Sequence, residues 1–81
     1  MSLDDLKKVT KVIGLKQVTK VINRDQAAWV FLGADADDKV VGALKSLCEE
    51  KRIAMDTAYT MAELGKACNI SVGAAAVAVL K

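Results

Sequence analysis

Residues 15–33 read LKQVTKVINRDQAAWVFLG, and this stretch passes from a helical to an extended pattern. Leu15, Val18 and Ile22 recur at spacings of three and four, which places them on one face of an α-helix. Ala27–Leu32 is a continuous apolar run ended by a glycine, which is typical of a strand covered on both faces. A helix followed by a doubly covered strand predicts an α/β fold.

Upstream of this stretch the helical spacing is already present. Leu3, Leu6, Val9 and Ile13 recur at intervals of three and four, so the sequence predicts a first helix. That helix is expected to meet the second one at Gly14, which then serves as a hinge or as a point of close backbone approach.

Downstream the alternation of helix and strand continues. A third helix is predicted from Asp37, and Ile53–Thr57 is predicted to be a strand. Residues 60–63, TMAE, form a capping box that opens a fourth helix, which is expected to end near Asn69. Ala74–Leu80 is predicted to be the last strand. The residues of the third helix predicted to face inward are Val40, Val41, Leu44, Leu47 and Cys48.

Helices that alternate with apolar strands predict a three-layer α-β-α sandwich around a small mixed sheet. The chain has 81 residues, 53% of them hydrophobic, which suits a single domain spanning residues 1–81. No apolar stretch approaches the roughly 20 residues that cross a bilayer, and no secretion signal opens the sequence. We therefore expect a cytoplasmic protein without a membrane partner.

The net charge of +2 is unevenly distributed along the chain. Residues 1–24 carry six Lys or Arg against two Asp, a balance of +4, whereas residues 25–81 carry a balance of −2. A basic pole on a mildly acidic body favours an anionic partner such as a phosphate backbone. A solvated basic helix face explains the charge alone equally well.

Residues for catalysis or metal binding are scarce. The chain has no histidine and none of the common nucleophile or phosphate-loop motifs, so we predict neither an enzyme nor a cofactor. Asp35–Asp38 starts like a calcium loop, but Val40 and Ser46 stand where the glycine and glutamate are needed, so these aspartates are interpreted as helix caps. Cys48 and Cys68 are interpreted as reduced, buried packing residues.

The second helix breaks an electrostatic rule that the other helices obey. A helix N-terminus carries partial positive charge, and the other three predicted helices place acids in their first turns. The second helix instead begins after Gly14 with Lys16, continues with Lys20 and Arg24 on the same face, and has no acid. Its start is therefore a candidate anion-binding site, with the Gln17 amide beside it.

Three segments of the chain resemble a known family. GLKQVTK at residues 14–20, LGKA at 64–67 and ISVGAAAVA at 70–78 are similar, in order and spacing, to kink-turn-binding ribosomal proteins. That family includes the large-subunit proteins seven-Ae and thirty-e, and in size the chain most resembles the short bacterial members. The resemblance implies a three-layer α-β-α sandwich that docks on a kink-turn, a bent RNA motif with tandem sheared G·A pairs.

The resemblance also implies which residues contact RNA. At the start of the second helix these are Gly14, Lys16, Gln17 and Lys20. In the loop before the last strand they are Ile70, Ser71, Val72 and Gly73, which are expected to pack against extruded bases. Lys16-Gln17 replaces the Asn-Glu of the archaeal pattern, which removes a carboxylate acceptor; Lys-Gln occurs in the thirty-e and bacterial branches.

Two functions from different classes follow from these features. The first is binding of kink-turn RNA, such as a ribosomal or riboswitch RNA, with no DNA partner expected. The second is a protein-interaction module on the same fold that uses its basic pole. Without the resemblance, Ile70 and Val72 would be interpreted as core residues, and Trp29 and Phe31 are assigned to the core. The sequence makes no prediction about oligomeric state.

Overall fold

A computed structural model describes all residues 1–81 and contains four helices and four strands. The elements, in chain order, are α1 (Leu3–Lys8), β1 (Lys11–Ile13), α2 (Leu15–Asn23), β2 (Ala27–Leu32), α3 (Asp38–Lys51), β3 (Ala54–Asp56), α4 (Met61–Ala67) and β4 (Ala76–Leu80). None of the helices is long and apolar enough to cross a bilayer.

The four strands form one mixed sheet in the order β1-β4-β2-β3. β4 is antiparallel to both of its neighbours, β1 and β2, whereas β2 and β3 are parallel and are connected through α3. β4 and β2 therefore occupy the interior of the sheet, where both faces are covered. This position explains why their sequences, AVAVL and AAWVFL, are continuously apolar.

Two hydrophobic clusters lie on opposite faces of the sheet. The first cluster packs α2 and α3 against one face and includes Val30 and Leu32 of β2. The second cluster packs α1 and α4 against the other face and includes Phe31, which lies between those two residues in sequence. The alternation along β2 follows from the two-residue period of a strand. The predicted three-layer α-β-α sandwich with a small mixed sheet is confirmed.

The predicted first helix is wrong in its second half. α1 ends at Lys8, and Lys11–Ile13 form β1 instead of a helical turn. The apolar spacing fits either structure, but β1 gains backbone pairing with Val77–Val79 of β4. It also places Val12 against the first cluster and Ile13 against the second. Tertiary pairing therefore overrides the local helical pattern.

Several predicted core positions are more exposed than expected. The buried stripe of α3 is Val41, Leu44 and Cys48, and Val40 lies outside it with 40% exposure. A narrow apolar stripe is enough to bury α3, because this helix packs against one face of the sheet only. Leu47, Trp29 and Cys68 are half-buried at the margins of the clusters, whereas Phe31 is fully buried. Cys48 is buried in the first cluster, whereas Cys68 lies at the margin of the second.

Candidate nucleic-acid interface

Three strands end at the same edge of the sheet. β1, β2 and β3 run in one direction and β4 in the opposite one, so their carboxyl ends lie beside the start of β4. Gly14 N–H donates to the Ala76 carbonyl at 2.9 Å, and Gly33 N–H donates to the Ala75 carbonyl at 2.9 Å. We call this side, marked by Gly14, Gly33, Thr57 and Ala75, the carboxyl edge. Open α/β sheets commonly bind ligands outside such an edge.

Three helices begin at the carboxyl edge, and two of them are capped by side chains. The Asp37 carboxylate accepts from Lys39 N–H at 2.9 Å at the start of α3. The Thr60 hydroxyl accepts from Glu63 N–H at 3.2 Å at the start of α4. α2 has Gly14 as its N-cap, with no side-chain cap and no acid in its first turn. The free N–H groups and the positive end of the helix dipole of α2 therefore face outward.

Gly14 adopts a backbone conformation that favours glycine. Its φ is +101° and its ψ is 152°, a backbone conformation that residues with a Cβ rarely adopt. A Cβ built on Gly14 would meet no atom within 4 Å. The requirement for glycine in the free protein is therefore conformational, and the space in front of this residue is open.

The predicted polar residues of α2 all face solvent. Lys16, Gln17 and Lys20 are exposed, while Val18 and Ile22 on the opposite face are fully buried. None of the ion pairs in the structure involves Lys16 or Lys20, so both ammonium groups are free to meet an anion. Because Val18 and Ile22 anchor α2 in the core, the backbone positions that carry these polar side chains are fixed.

The loop Ile70–Gly73 lies at the same edge because it leads into β4 beside Gly14. Ser71, Val72 and Gly73 are exposed, and Val72 is the most exposed large apolar residue, at 69%. Ile70 is half-buried against the second cluster and anchors the loop. The core interpretation therefore holds in part for Ile70 and is wrong for Val72. The structure brings both predicted groups of contact residues to one edge.

α4 packs against this loop and is hydrogen-bonded to both ends of it. Ile70 N–H donates to the Gly65 carbonyl at 3.0 Å, and Ala74 N–H donates to the Met61 carbonyl at 3.0 Å. Gly65 has no room for a side chain, because a Cβ there would collide with the Val72 carbonyl oxygen. The LGKA segment gave a sequence signal for Gly65, but its supporting role depends on a contact that the sequence does not reveal.

Asp35 has a role that sequence reasoning missed. It was interpreted as a cap of the helix that follows it, but its carboxylate accepts from Met61 N–H at 2.8 Å, at the start of α4. Asp37 alone caps α3 through its side chain, and Asp38 lies in the first turn. No local pattern could have indicated a bond between residues so far apart in sequence. Asp35 thereby joins the loop after β2 to the helix that supports Ile70–Gly73.

Comparison with known proteins agrees with this architecture. The sequence model of the Ribosomal protein L7Ae/L30e/S12e/Gadd45 family matches residues 3–81. The chain belongs to this family. A relative from Bacillus pumilus (strain SAFR-032), called "RNA-binding protein", is 37% identical over 81 residues, covering 99% of both chains. This L7Ae-family chain is also 37% identical over 70 residues to "RNA-binding protein YbxF" of Geobacillus stearothermophilus, covering 86% of this chain and 85% of the relative.

A solved structure shares the fold of this L7Ae-family chain. The Giardia lamblia 15.5kD RNA binding protein superposes with a TM-score of 0.88 at 29% sequence identity. The match covers 98% of this chain and 70% of that one. The two bacterial relatives, which this chain covers over 99% and 85% of their length, confirm the resemblance to short bacterial members that the sequence showed.

Proposed function

We propose that this protein is a single-domain RNA-binding protein that recognises kink-turns at the carboxyl edge. Gly14, Lys16, Gln17 and Lys20 would contact one part of the motif, and the loop Ile70–Gly73 would contact another. Its setting would be a cytoplasmic ribonucleoprotein such as the ribosome. Members of the family are RNA-binding proteins rather than enzymes.

One observation carries the proposal. Of the three helices that begin at the carboxyl edge, only α2 lacks both a side-chain cap and an acid, and it lies beside the exposed Val72 loop. An RNA phosphate or a guanine edge would supply the acceptors that α2 lacks. The exposed apolar side chain beside it suits an unstacked base, which offers an apolar face.

The chemistry of RNA explains why a kink is the target. Ordinary A-form RNA keeps its base edges in a deep, narrow major groove, which a helix cannot enter. A sharp bend opens that groove and lets the start of α2 approach. Lys16 and Lys20 can then donate to guanine O6 and N7 or to phosphates, and the Gln17 amide can both donate and accept.

Titration with matched RNAs tests the proposal. We expect a kink-turn RNA to bind in a gel-shift assay, and an RNA of equal length with its G·A pairs replaced by Watson–Crick pairs to bind much more weakly. The two RNAs carry the same charge, so the difference isolates recognition of the bend. Equal affinity for both RNAs would refute kink-turn recognition, and no affinity for either would refute RNA binding.

A further inference from the structure

A basic groove lies on the face of the sheet opposite α2 and α3. It has a volume of about 480 Å³ and lies between α1, the end of α4 and the edge strand β1. Its lining consists of Lys7, Lys11, Lys66, Ala67, Cys68 and Asn69. We call it the lysine groove. The residues proposed above to contact RNA do not include any of these.

The lysine groove carries positive charge that the protein itself does not neutralise. No carboxylate lines it, and no ion pair involves Lys66 or Lys11. Lys7 lies 3.6 Å from Asp4, but both side chains are largely exposed, so the pair is weak. Burial raises the pKa of the Cys68 thiol, which keeps this group uncharged at neutral pH. Three ammonium groups around one hollow therefore favour an anion.

One carboxylate stands near the end of the lysine groove. An adjoining hollow of about 280 Å³ is lined by Leu3, Lys7, Glu63, Lys66 and Ala67. The Glu63 carboxylate already accepts from Thr60 N–H at 3.0 Å and from the Thr60 hydroxyl at 3.1 Å. These bonds hold the carboxylate in the capping box of α4, and no lysine forms an ion pair with it.

The lysine groove lies about one strand length from the carboxyl edge. On one wall, Lys11 opens β1, and Gly14 follows three residues later, roughly 10 Å away at the rise of a strand. On the other wall, Asn69 directly precedes Ile70, from which the loop returns along α4 to the carboxyl edge. A chain of phosphates that leaves the carboxyl edge on this side would reach the groove within about the length of β1.

We propose that the lysine groove binds the phosphates of an RNA strand that extends beyond the kink-turn. The inference rests on the function proposed above and enlarges its contact surface to Lys7, Lys11 and Lys66. The lining favours a phosphate chain over a peptide, because only Ala67 and Cys68 are apolar and no deep apolar pocket could hold a side chain. Binding in the groove would not depend on base sequence, because lysines that contact phosphates do not distinguish one base from another.

A triple substitution tests this proposal. The variant Lys7→Gln/Lys11→Gln/Lys66→Gln removes three charges but keeps polar side chains that can donate hydrogen bonds. The matched control, Lys45→Gln/Lys51→Gln/Arg52→Gln, removes three charges from α3 and its C-cap residue, away from the groove. Each protein is titrated with a minimal kink-turn and with the same RNA carrying a 5′ or a 3′ single-stranded extension, and its thermal midpoint is recorded.

We expect one of the two extensions to tighten binding by the unsubstituted protein and by the control. At 0.1 M salt each phosphate contact with a single strand contributes roughly 5-fold, so the groove variant should lose on the order of 100-fold on the extended RNA. It should bind the minimal kink-turn nearly as well as the unsubstituted protein does.

The possible failures are separable. If neither extension tightens binding, or if the groove variant keeps the full gain, the lysine groove has no role in RNA binding and the proposal is overturned. If the groove and control variants lose affinity equally, the loss reflects total charge, and the proposal is also overturned. If the unsubstituted protein does not bind the minimal kink-turn, the proposed function itself has failed.

Discussion

At the scale of single residues, Gly14 combines two properties that no other amino acid could provide together. Its positive φ turns the chain from β1 into α2, and its lack of a side chain leaves the helix N-terminus open. A serine or aspartate N-cap would close that site with its own oxygen. The residue that shapes the turn is therefore also the one that leaves the N–H groups available.

Two glycine-to-alanine substitutions separate conformation from packing. A Cβ would find open space at both Gly14 and Gly42, but only Gly14 has a positive φ. We expect Gly14→Ala to lower the free energy of unfolding by about 1–2 kcal/mol and to weaken RNA binding. Gly42→Ala, within α3, should raise the free energy of unfolding by about 0.5–1 kcal/mol and leave RNA binding unchanged.

Urea denaturation and RNA titration of both variants provide the measurement. The conformational account of Gly14 would be wrong if the two alanine variants changed stability in the same direction.

The lysines at the start of α2 should act on RNA binding and not on stability. Lys16→Ala and Lys20→Ala each remove an exposed donor opposite the buried face, so we expect a loss of about 1–3 kcal/mol in binding where the contact reads a base. Lys45→Ala is the control, because Lys45 lies on α3 and its ion pair with Asp38, at 3.7 Å, is exposed. A similar loss for Lys45→Ala would show that binding depends only on general basicity.

At the scale of elements, α4 determines the shape of the loop that follows it. The loop returns along α4 and bonds to it at Gly65 and Met61, while Asp35 ties the start of α4 to the loop after β2. The loop Ile70–Gly73 is thus held at both ends, although its tip is exposed. Pre-organisation of this kind lowers the entropy lost on binding.

Substitutions at the tip of the loop should affect RNA binding alone. Val72 is 69% exposed, so Val72→Asp should change the free energy of unfolding by less than about 0.5 kcal/mol. It should nevertheless weaken RNA binding, because a carboxylate would face bases and phosphates. Val72→Thr has nearly the same shape without the charge and should retain most of the affinity. RNA titration and thermal melting of the two variants check this; equal affinities would place Val72 outside the interface.

A substitution beneath the loop should affect stability and binding together. Gly65→Ala would place a methyl group against the Val72 carbonyl, so the loop or α4 must shift, at a cost of about 1–3 kcal/mol in stability. The shift should also weaken RNA binding. Ala62→Gly, at an exposed position of α4, should lower stability by about 1 kcal/mol through helix propensity without moving the loop. Unchanged RNA affinity in Gly65→Ala would contradict the supporting role of α4.

At the scale of the whole molecule, the fold gathers the basic residues around one side. Residues 1–24, with a balance of +4, form α1, β1 and α2, and β1 is an edge strand. α1 and α2 belong to opposite layers, so their lysines lie on the two faces of the sheet, near the edge strand β1. The opposite edge strand, β3, belongs to the acidic remainder of the chain. This polarity would orient the protein on an RNA before contact.

The salt dependence of binding should report how much of this basic side is used. Lys16 and Lys20 at phosphates predict a slope of about −2 for the logarithm of the binding constant against the logarithm of salt concentration. Occupation of the lysine groove by a single strand should steepen it to about −4 on the extended RNA. Titrations between about 50 and 200 mM salt measure both slopes. A flat response would remove the electrostatic basis of the interface.

The sequence alone determined the features that depend on neighbouring residues. Apolar spacing predicted α2 and α3, the continuous run predicted β2 with its observed bounds, and Thr60 with Glu63 marked the start of α4. These signals are local, because capping and helical faces involve residues three or four positions apart. The layered fold and the acid-free start of α2 could therefore be predicted from the chain itself.

Only the tertiary structure decided the features that depend on distant pairing. β1 exists because Lys11–Ile13 pairs with β4, and that same pairing brings the loop Ile70–Gly73 beside Gly14. The bond from Asp35 to α4 and the meeting of Lys66 with Lys7 and Lys11 arise in the same way. A three-residue strand and a groove between separate elements leave no local pattern in the sequence, because the energy that stabilises them comes from contacts formed only when the chain is folded.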